Sequence, residues 1–281
     1  MNILMCGNDK VFDGALTFLI SITNKTKEPV TCFIFTADCT RIKKQYLPIT
    51  DKQVDILNSV VSKKNKENKV IKIDVTELYD KEFKGCPNED AYCSPYTLLR
   101  LLADEVKEIP DKILYFDIDM MANKDISVLY NMDISDYEYA ACREKYGSKL
   151  IRPDYINAGM LLLNIKKIKE TRLFEKGRNS LRKKKLLFAD QDAIFWNTTK
   201  KKILPRIYNE QRKFNCDKTV ICHFSKRLML TPYPHTTNYK QWNVEEIHKY
   251  YKCHAFDKDL EEYLNIKNDL INKGEIWWKS F

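Results

Sequence analysis

Residues 113–119 read Ile-Leu-Tyr-Phe-Asp-Ile-Asp, an apolar run rich in strand-forming side chains that ends in two aspartates one residue apart. Alternate residues of an extended strand share a face, so Asp117 and Asp119 are expected to point to the same side. Two carboxylates in this arrangement can hold a divalent cation, and the cation can hold a diphosphate. Alternatively, both are ordinary strand-end acids that cap a helix or face solvent. Their position at the carboxyl end of a core strand, where open α/β sheets bind ligands, favours the first interpretation.

The segments before this run alternate between strand and helix patterns. Apolar, β-branched stretches predict strands at 2–6, 30–36, 70–75 and 112–118. Helical periodicity between them predicts helices at 15–23, 51–64 and 95–107. Strands joined by helices form a largely parallel sheet that is covered on both faces. The sequence therefore predicts an α/β fold with a mixed, mostly parallel sheet flanked by helices.

The second half of the chain extends this pattern and ends in helices. Further strands are predicted at 137–142, 158–165 and 219–224. Helices are predicted at 167–186, at 191–198 and, as a pair, within 242–273. No repeat, low-complexity linker or Gly/Pro-rich hinge interrupts the pattern. We therefore expect a catalytic domain over 1–242 and a C-terminal helical extension over 243–281.

The composition is that of an ordinary folded protein. The chain has 281 residues, of which 44% are hydrophobic and 31% charged, and no apolar run reaches bilayer-spanning length. Residues 1–7 lack the basic start and long apolar stretch of a signal peptide and are predicted to form the first strand. The nine cysteines include no Cys-x-x-Cys pair, which favours reduced core thiols in a cytoplasmic protein.

Much of the net charge of +9 lies in one stretch, with ten basic and two acidic residues between Lys166 and Lys185. This stretch is either a solvated helix face or a surface attracted to an anionic membrane, nucleic acid or acidic substrate. Nucleic acid is not expected, because no nucleic-acid motif or interleaved aromatic residue accompanies the charges. Trp277 and Trp278 near the end are typical of an interfacial anchor or of a tail packed on the core. Peripheral contact with the inner membrane face is thus an alternative to a purely cytoplasmic location.

A glycine-rich loop is not expected to bind phosphate in this chain. It has only seven glycines and lacks Gly-x-Gly-x-x-Gly, Gly-x-x-x-x-Gly-Lys-Ser/Thr and Gly-x-Ser-x-Gly. A metal ion and positive side chains are expected to take this role instead.

Four further motifs are in register with Asp117-Ile118-Asp119. They are Arg100 within 94–101, Asn157-Ala158-Gly159, Asp190-Gln191-Asp192 and His223-Phe224. In this order they resemble glycosyltransferase family 8, which contains bacterial lipopolysaccharide galactosyl- and glucosyltransferases and glycogenin. The resemblance extends from residue 2 to about 243. It implies a GT-A (Rossmann-like) nucleotide-diphospho-sugar transferase fold, a UDP-sugar donor, Mn²⁺ or else Mg²⁺, and retention of the anomeric configuration.

The resemblance also implies roles for single residues. The metal ligands would be Asp117, Asp119 and His223, which with two diphosphate oxygens suit a near-octahedral Mn²⁺ site. The donor site would also include Arg100, Ile118, Asn157, Ala158, Gly159 and Asp190. Gln191 would lie on the β face of the sugar. Because an amide is a poor nucleophile, displacement on the same face through an oxocarbenium-like state is favoured over a covalent intermediate.

Each of these residues also has a structural alternative. His223 can be a satisfied core histidine, and Arg100 a helix-surface cation paired with Asp104. Residues 157–159 can form a plain turn into a strand, and Asp190 can be an N-cap acid. The common register of the motifs favours the site interpretation.

The uridine-binding segment departs from the family pattern. The usual Asp-x-Asn-Tyr is replaced by Asn8-Asp9-Lys10-Val11, so the tyrosine that stacks on uracil is missing. Asn8 is still expected to bind the nucleotide, and Phe12, one residue late, is the candidate replacement for the tyrosine.

The segment after the histidine departs as well. The family's Gly-x-x-Lys-Pro-Trp is replaced by Lys240-Gln241-Trp242, which follows an insertion over 225–239. Lys240 is expected to bind the diphosphate, with Lys226 and Arg227 as competitors.

Together these features predict a retaining, metal-dependent transferase that moves galactose or glucose from a UDP-hexose to a saccharide or lipid-linked saccharide acceptor. Surface polysaccharide synthesis, such as that of lipopolysaccharide, is the expected context. One alternative is a sugar nucleotidyltransferase, which would need a Gly-rich basic N-terminal loop that residues 1–13 do not provide. A second alternative is a non-catalytic relative that binds UDP-sugar.

Overall fold

The computed structural model describes residues 1–90, 94–212, 214–229 and 233–275. Its strands are β1 (Asn2–Cys6), β2 (Thr31–Thr36), β3 (Lys69–Asp74), β4 (Lys112–Phe116), β5 (Met120–Ala122), β6 (Tyr139–Arg143), β7 (Ile156–Asn164), β8 (Lys201–Leu204), β9 (Ile221–His223), β10 (Arg227–Met229) and β11 (His235–Thr237). Its α-helices are α1 (Phe12–Thr23), α2 (Asp51–Lys64), α3 (Thr76–Phe83), α4 (Ser127–Tyr130), α5 (Gly147–Leu150), α6 (Ile165–Thr171), α7 (Leu173–Lys183), α8 (Ala189–Asn197), α9 (Val244–Glu246) and α10 (Asp257–Asn272). Short 3₁₀-helices span Asp9–Val11, Pro95–Leu102 and Arg206–Tyr208, and a π-helix spans Ile247–Tyr251.

Seven strands form the central sheet in the order β3-β2-β1-β4-β7-β6-β8. Neighbouring strands are parallel except where β7 pairs with β4 and β6. The prediction of a mixed, mostly parallel sheet flanked by helices is therefore confirmed. Apolar side chains on the two faces of the sheet form two separate clusters with the surrounding helices.

Strand β7, which runs antiparallel to its two neighbours, brings distant motifs of the chain together. Because β7 runs against β4, its first residues lie beside the carboxyl end of β4, where Phe116 pairs with Met160. A two-stranded sheet adds to this arrangement, since β5 pairs antiparallel with β9 and sets Met120 opposite His223. Motifs more than 40 and 100 residues beyond Asp117 in the sequence are thus brought to one edge of the sheet.

Several predicted boundaries need correction. Strand β4 ends at Phe116, so Asp117 and Asp119 lie in the bend that follows the strand and not in the strand itself. The helix predicted over 95–107 is a 3₁₀-helix that ends at Leu102. The helix predicted over 167–186 is two helices, because Arg172 adopts a left-handed backbone with φ of 57° between α6 and α7.

The basic stretch is only partly a solvated face. Arg178 is buried, with its guanidinium 2.6 Å from Asp104 and 2.9 Å from Glu105, while its Nε lies 3.2 Å from Glu82. Most of its lysines are exposed. One of the ten basic side chains, Arg178, therefore belongs to the interior of the protein and not to a solvated surface.

The described part of the C-terminal extension packs against the first helix. Tyr263 of α10 donates a 2.9 Å hydrogen bond to Asp13, and Asn24 donates one of 3.0 Å to Asp259. The division at residue 242 stays a prediction, and Trp277 and Trp278 lie outside the described residues. Within the described ranges, no helix has the length and apolarity needed to cross a membrane. The eight cysteines in these ranges are free thiols, and six of them are buried, as predicted.

Candidate active site

The loop between β4 and β5 carries the two aspartates, and three hydrogen bonds from different parts of the chain hold its backbone. The Asp117 N–H donates to the Gly159 carbonyl at 2.7 Å, and the Phe224 N–H donates to the Asp119 carbonyl at 2.7 Å. Between them, the Ile118 carbonyl accepts a 2.8 Å hydrogen bond from the buried Gln241 side chain. The loop is therefore fixed before any ligand binds.

Side chains of Asp117, Asp119 and His223 converge, and their ligand atoms all lie within 4.8 Å of one another. His223 Nε2 is 3.1 Å from Asp119 Oδ1 and 3.9 Å from Asp117 Oδ2. The other ring nitrogen, Nδ1, is 2.9 Å from Asn209 Oδ1. An amide oxygen only accepts hydrogen bonds, so this contact assigns the proton to Nδ1 and leaves Nε2 to bind a cation. Two carboxylates and one imidazole fit Mn²⁺ or Mg²⁺, so the geometry supports the ligand interpretation of His223, which stays a prediction.

Asn209 is a site residue that the sequence motifs did not identify. Its Oδ1 orients His223, and its Nδ2 donates to Asn157 Oδ1 at 2.8 Å. Asn157 Oδ1 also accepts from the Gly159 N–H at 3.0 Å. This chain of contacts links the Asn-Ala-Gly segment to the histidine. No local pattern marks Asn209, because each of its partners lies on a different strand or loop.

Gly159 occupies a position where any side chain would enter the cluster formed by Asp117, Asp119 and His223. A Cβ atom there would be 2.5 Å from His223 Cε1 and 2.8 Å from Asp117 Oδ2. Both distances are shorter than van der Waals contact. The plain-turn alternative for residues 157–159 therefore does not explain why glycine occupies position 159.

We expect Gly159→Ala to reduce turnover at least tenfold, because the methyl group must displace His223 or Asp117 from the cluster. Gly177→Ala is the matched control, since a Cβ there would lie 3.4 Å or more from its neighbour Ala193 in α8. The control should be neutral or stabilising by about 0.5–1 kcal/mol. Steady-state rates and thermal unfolding of both variants measure this difference. Full activity of Gly159→Ala would show that the cluster does not contribute to the reaction.

Arg100 lies beneath the aspartates and not on a helix surface. Its guanidinium donates to the Ala158 carbonyl at 2.6 Å and to Asp117 at 3.0 Å, and its Nε is 3.2 Å from Asp190. It also stacks on the Tyr115 ring at 4.1 Å. Burial would lower the pKa of Arg100, but Asp190 and Tyr115 hold it above its usual value. Asp104, its suggested surface partner, pairs with Arg178 instead.

The Asp190-Gln191 pair lies in the first turn of α8 and directly follows its first residue, Ala189, which has a left-handed φ of 33°. Asp190 is buried, and burial raises the pKa of its carboxyl, although Arg100 opposes this shift. Gln191 Oε1 accepts the Ala158 N–H at 3.0 Å. Asp190 is therefore paired with Arg100 and is not an N-cap acid, and Gln191 is bound to the Asn-Ala-Gly segment.

Asp192 has a different function from its two predecessors. It accepts 2.5 Å and 2.9 Å hydrogen bonds from the Tyr155 hydroxyl and the Phe188 N–H. These contacts hold the first turn of α8. Asp192 therefore fits the structural alternative for this motif, in which polar side chains stabilise the start of a helix.

A cavity of about 500 Å³ opens beside the aspartates. It is lined by five segments: the end of β1, the loop after β2, the Pro95–Leu102 helix, the Asp-x-Asp loop and the segment around Lys240. The lining residues are Cys6, Gly7, Asn8, Lys10, Val11, Gln45, Tyr46, Ser94, Tyr96, Thr97, Arg100, Tyr115, Asp117, Ile118, Asp119, Lys240 and Trp242. Six predicted site residues are thus brought to one cavity. Ala158, Gly159 and Asp190 bond to the lining residues Arg100 and Asp117. Asn157 and Gln191 are connected to them only through Gly159 and Ala158.

The prediction that Phe12 stacks on the nucleotide base is wrong. Phe12 is the first residue of α1, is fully buried in the core, and is not among the lining residues. One step along a helix turns a side chain by about 100°, so Phe12 points away from the position that its neighbour Val11 occupies. Tyr46 and Tyr96 are the aromatic residues that line this end of the cavity together with Asn8.

Lys240 reaches the cluster formed by Asp117, Asp119 and His223. Its ammonium group is 2.5 Å from Asp119 Oδ2 and donates to the Phe224 carbonyl at 3.1 Å. Lys226 is exposed, and Arg227 stacks on Tyr251 at 4.0 Å. Burial would raise the pKa of Asp119, but Lys240 and His223 hold it far below its usual value. The carboxylate is thus charged at any physiological pH.

Comparison with known proteins agrees with this architecture. The family model "Glycosyl transferase family 8" matches residues 2–246. A putative glycosyltransferase of Haemophilus influenzae is 32% identical over 153 residues, which are 46% of each chain. The match therefore spans about half the length of that relative.

Two solved structures of LgtC share the fold over nearly their whole length. One, an active-site mutant, has a TM-score of 0.68 at 16% identity and covers 96% of both chains. The other, described as the galactosyltransferase LgtC with donor and acceptor sugar analogs, has a TM-score of 0.63 at 17% identity and covers 98% of this chain and all of LgtC. The architecture is thus the GT-A fold. With a family model that matches all but the C-terminal residues, the chain belongs to glycosyl transferase family 8.

Proposed function

We propose that the protein is a metal-dependent, retaining glycosyltransferase that moves a hexose from a UDP-sugar to a glycan or glycolipid acceptor. The observation that supports this most directly is the Asp117/Asp119/His223 cluster, whose two aspartates line a cavity that Arg100 and Lys240 also line. Anionic ligands for a cation and cationic groups for a phosphate meet at one place. This combination suits a metal-bound diphosphate.

The three cluster residues would hold Mn²⁺ or Mg²⁺, and the bound metal would neutralise negative charge on the departing diphosphate. Lys240 is proposed to bind the same diphosphate, since its ammonium already lies at the edge of the cluster. Asn8, with Tyr46 and Tyr96, is proposed to hold the nucleoside at the other end of the cavity.

The sugar is proposed to lie against Ile118, Arg100 and the Asn157–Gly159 segment. The buried Arg100–Asp190 pair fixes the guanidinium, so its remaining face is oriented before the donor arrives. Gln191 is held by the Ala158 N–H and carries no charge. Its amide dipole is suited to stabilise an oxocarbenium-like state and is a poor nucleophile, which supports displacement on one face of the sugar.

The identities of the sugar and the acceptor and the location in the cell are each supported by a different observation. LgtC, which shares the fold, is described as a galactosyltransferase with donor and acceptor sugar analogs, and this supports galactose as the sugar and a saccharide as the acceptor. Glucose as the alternative sugar rests on the family resemblance. A lipid-linked acceptor in lipopolysaccharide or another surface polysaccharide, and a cytoplasmic location with contact to the inner membrane face, rest on the resemblance and on the basic residues of 166–185.

The direct test is UDP release from a panel of UDP-sugars with saccharide acceptors, with Mn²⁺ and after its removal by EDTA. Release that requires both Mn²⁺ and one UDP-hexose supports the proposal. Release of pyrophosphate from a sugar phosphate and UTP would instead indicate a nucleotidyltransferase. Tight UDP-sugar binding without turnover on any acceptor would favour the non-catalytic alternative.

Two substitutions should separate contacts to the sugar from contacts to the diphosphate. Gln191→Ala should lower kcat at least tenfold and leave UDP affinity within about twofold, because its proposed contact is to the transferring sugar. Lys240→Ala should instead weaken UDP binding at least tenfold, because a charge-assisted contact of about 1.5–3 kcal/mol is lost. Titration calorimetry with UDP and Mn²⁺, combined with steady-state kinetics, measures both effects.

Lys226→Ala is the matched control for Lys240→Ala, since Lys226 is exposed and does not line the cavity. It should leave both kcat and UDP affinity unchanged. A loss of UDP affinity in Lys226→Ala and not in Lys240→Ala would reverse the assignment of the diphosphate lysine.

A further inference from the structure

A second cluster of potential metal ligands lies beyond the family-matched region, at the start of α10. His248 Nε2 is 2.8 Å from Asp257 Oδ1, and His254 Nδ1 is 2.9 Å from Asp257 Oδ2. The three ligand atoms lie within 4.8 Å of one another. The two imidazole rings are stacked with their centroids 4.5 Å apart. Two of the chain's four histidines thus meet at one carboxylate.

The backbone between these residues is unusual in a way that creates the cluster. His248 belongs to the π-helix Ile247–Tyr251, and Lys252 then takes a left-handed conformation with φ of 48°. This reversal returns the chain so that His254 faces His248. Ile247, Cys253 and Phe256 are buried in one apolar cluster, which anchors the turn from below. The backbone that carries the three ligands is therefore held by packed neighbours.

We propose that His248, His254 and Asp257 form a second metal site, one that binds Zn²⁺. Two imidazoles and one carboxylate, with water as the fourth ligand, match the ligands of tetrahedral zinc sites. Ligand atoms of a tetrahedral site are about 3.3–3.6 Å apart, given zinc–ligand distances of about 2.0–2.2 Å. The two nitrogen–oxygen contacts, which are made to different oxygens of Asp257, would need to widen by about 0.4–0.8 Å, and the partly exposed side chains allow this.

The ligand chemistry distinguishes this site from the one at Asp117 and Asp119. Imidazole binds Zn²⁺ more strongly than Mn²⁺ or Mg²⁺, whereas carboxylate-rich sites suit the harder ions. Lys249, Lys252 and Lys258 lie close in sequence and disfavour cations held by charge alone. Selectivity for zinc over magnesium follows from the nitrogen ligands.

Bound zinc would stabilise the segment that leads to the proposed diphosphate lysine. Tyr251 of the π-helix packs on Phe224 with ring centroids 5.0 Å apart, and Phe224 directly follows His223. Tyr250 stacks on Tyr239 at 3.9 Å, and Tyr239 directly precedes Lys240. A metal ion that joins the π-helix to α10 would hold Tyr250 and Tyr251 in place, and these two side chains pack on the neighbours of Lys240 and His223. The proposed role of the metal is therefore structural.

The test measures zinc directly and does not depend on transferase activity. The full chain carrying Asp119→Ala, which removes a ligand of the other cluster, should bind one Zn²⁺ in competition with a chromophoric chelator. Its unfolding temperature should rise when Zn²⁺ is added, and Mg²⁺ should not reproduce this rise. Adding His254→Ala or Asp257→Asn should weaken zinc binding at least tenfold and abolish the rise.

His235→Ala is the matched control, since this histidine lies on β11 and bonds to the Tyr233 carbonyl. In the Asp119→Ala background it should leave zinc affinity unchanged. The His254 side chain is 68% exposed, so its replacement should not impair folding, and circular dichroism verifies this. Equal zinc affinity with and without His254→Ala, or no bound zinc in the Asp119→Ala chain, would overturn the proposal.

Discussion

Replacing Asp119 with alanine should lower kcat by roughly a thousandfold or more at saturating Mn²⁺. The carboxylate is one of three proposed metal ligands, and it also holds His223 at 3.1 Å and Lys240 at 2.5 Å. Its loss removes metal stabilisation of the leaving group, which contributes several kcal/mol, and each 1.4 kcal/mol changes the rate about tenfold. UDP should bind more weakly as well, because the diphosphate completes the metal shell.

The control for this experiment is Asp136→Ala. The Asp136 side chain is 79% exposed and pairs loosely with Lys200 at 3.7 Å, so its loss should change neither rate nor stability. Thermal unfolding should show that Asp119→Ala is folded. If the folded variant keeps most of its activity at saturating Mn²⁺, the metal-ligand assignment is wrong.

Replacing Arg178 with methionine should destabilise the protein by about 3–5 kcal/mol, the largest effect on stability that we expect from a single substitution. Its guanidinium is 2% exposed and lies within 3.2 Å of Glu82, Asp104 and Glu105. Glu82 and Asp104 are themselves mostly buried, so Asp104 would be left charged without this partner, whereas Glu82 would keep its pair with the more exposed Arg182. Burial raises the pKa of the Asp104 carboxyl, and Arg178 partly offsets this by lowering it. Removing the arginine would therefore raise the pKa of Asp104 further.

Arg172→Met provides the comparison, because Arg172 is exposed and pairs with Glu175 on the surface of the same basic stretch. Such pairs contribute about 0–1 kcal/mol. Urea denaturation of both variants measures the two free energies of unfolding. Similar small losses would contradict the view that the basic stretch contains a buried, structural cation.

Much of the fold could be predicted because hydrophobic periodicity is a local signal. The predicted strands at 2–6, 30–36 and 70–75 agree with β1, β2 and β3 to within one residue at each end. The break at Arg172 was missed, since a left-handed arginine has no local signal comparable to glycine. Phe12 was misassigned for a related reason: residue spacing does not specify which way a helix faces its neighbours.

Much of the site could also be predicted, since its motifs have recognisable residue types and order. The convergence of Asp117, Asp119 and His223 was expected from those motifs, and the structure brings them together. Asn209 was not expected, because its importance lies in contacts to His223 and Asn157, which are distant in sequence. Nor does a run of ten positive charges reveal that Arg178 alone is buried.

Local residue patterns are sufficient to predict the α/β alternation, the family and the chemical types gathered at the site. Which of those groups touch depends on how the strands pair in the folded chain. Antiparallel β7 placed Gly159 against Asp117, and the β5–β9 pair placed His223 against Asp119. The physical reason is that strand patterns depend on neighbouring residues, whereas ligand geometry, burial and pairing depend on groups that only the folded chain brings within a few ångströms of one another.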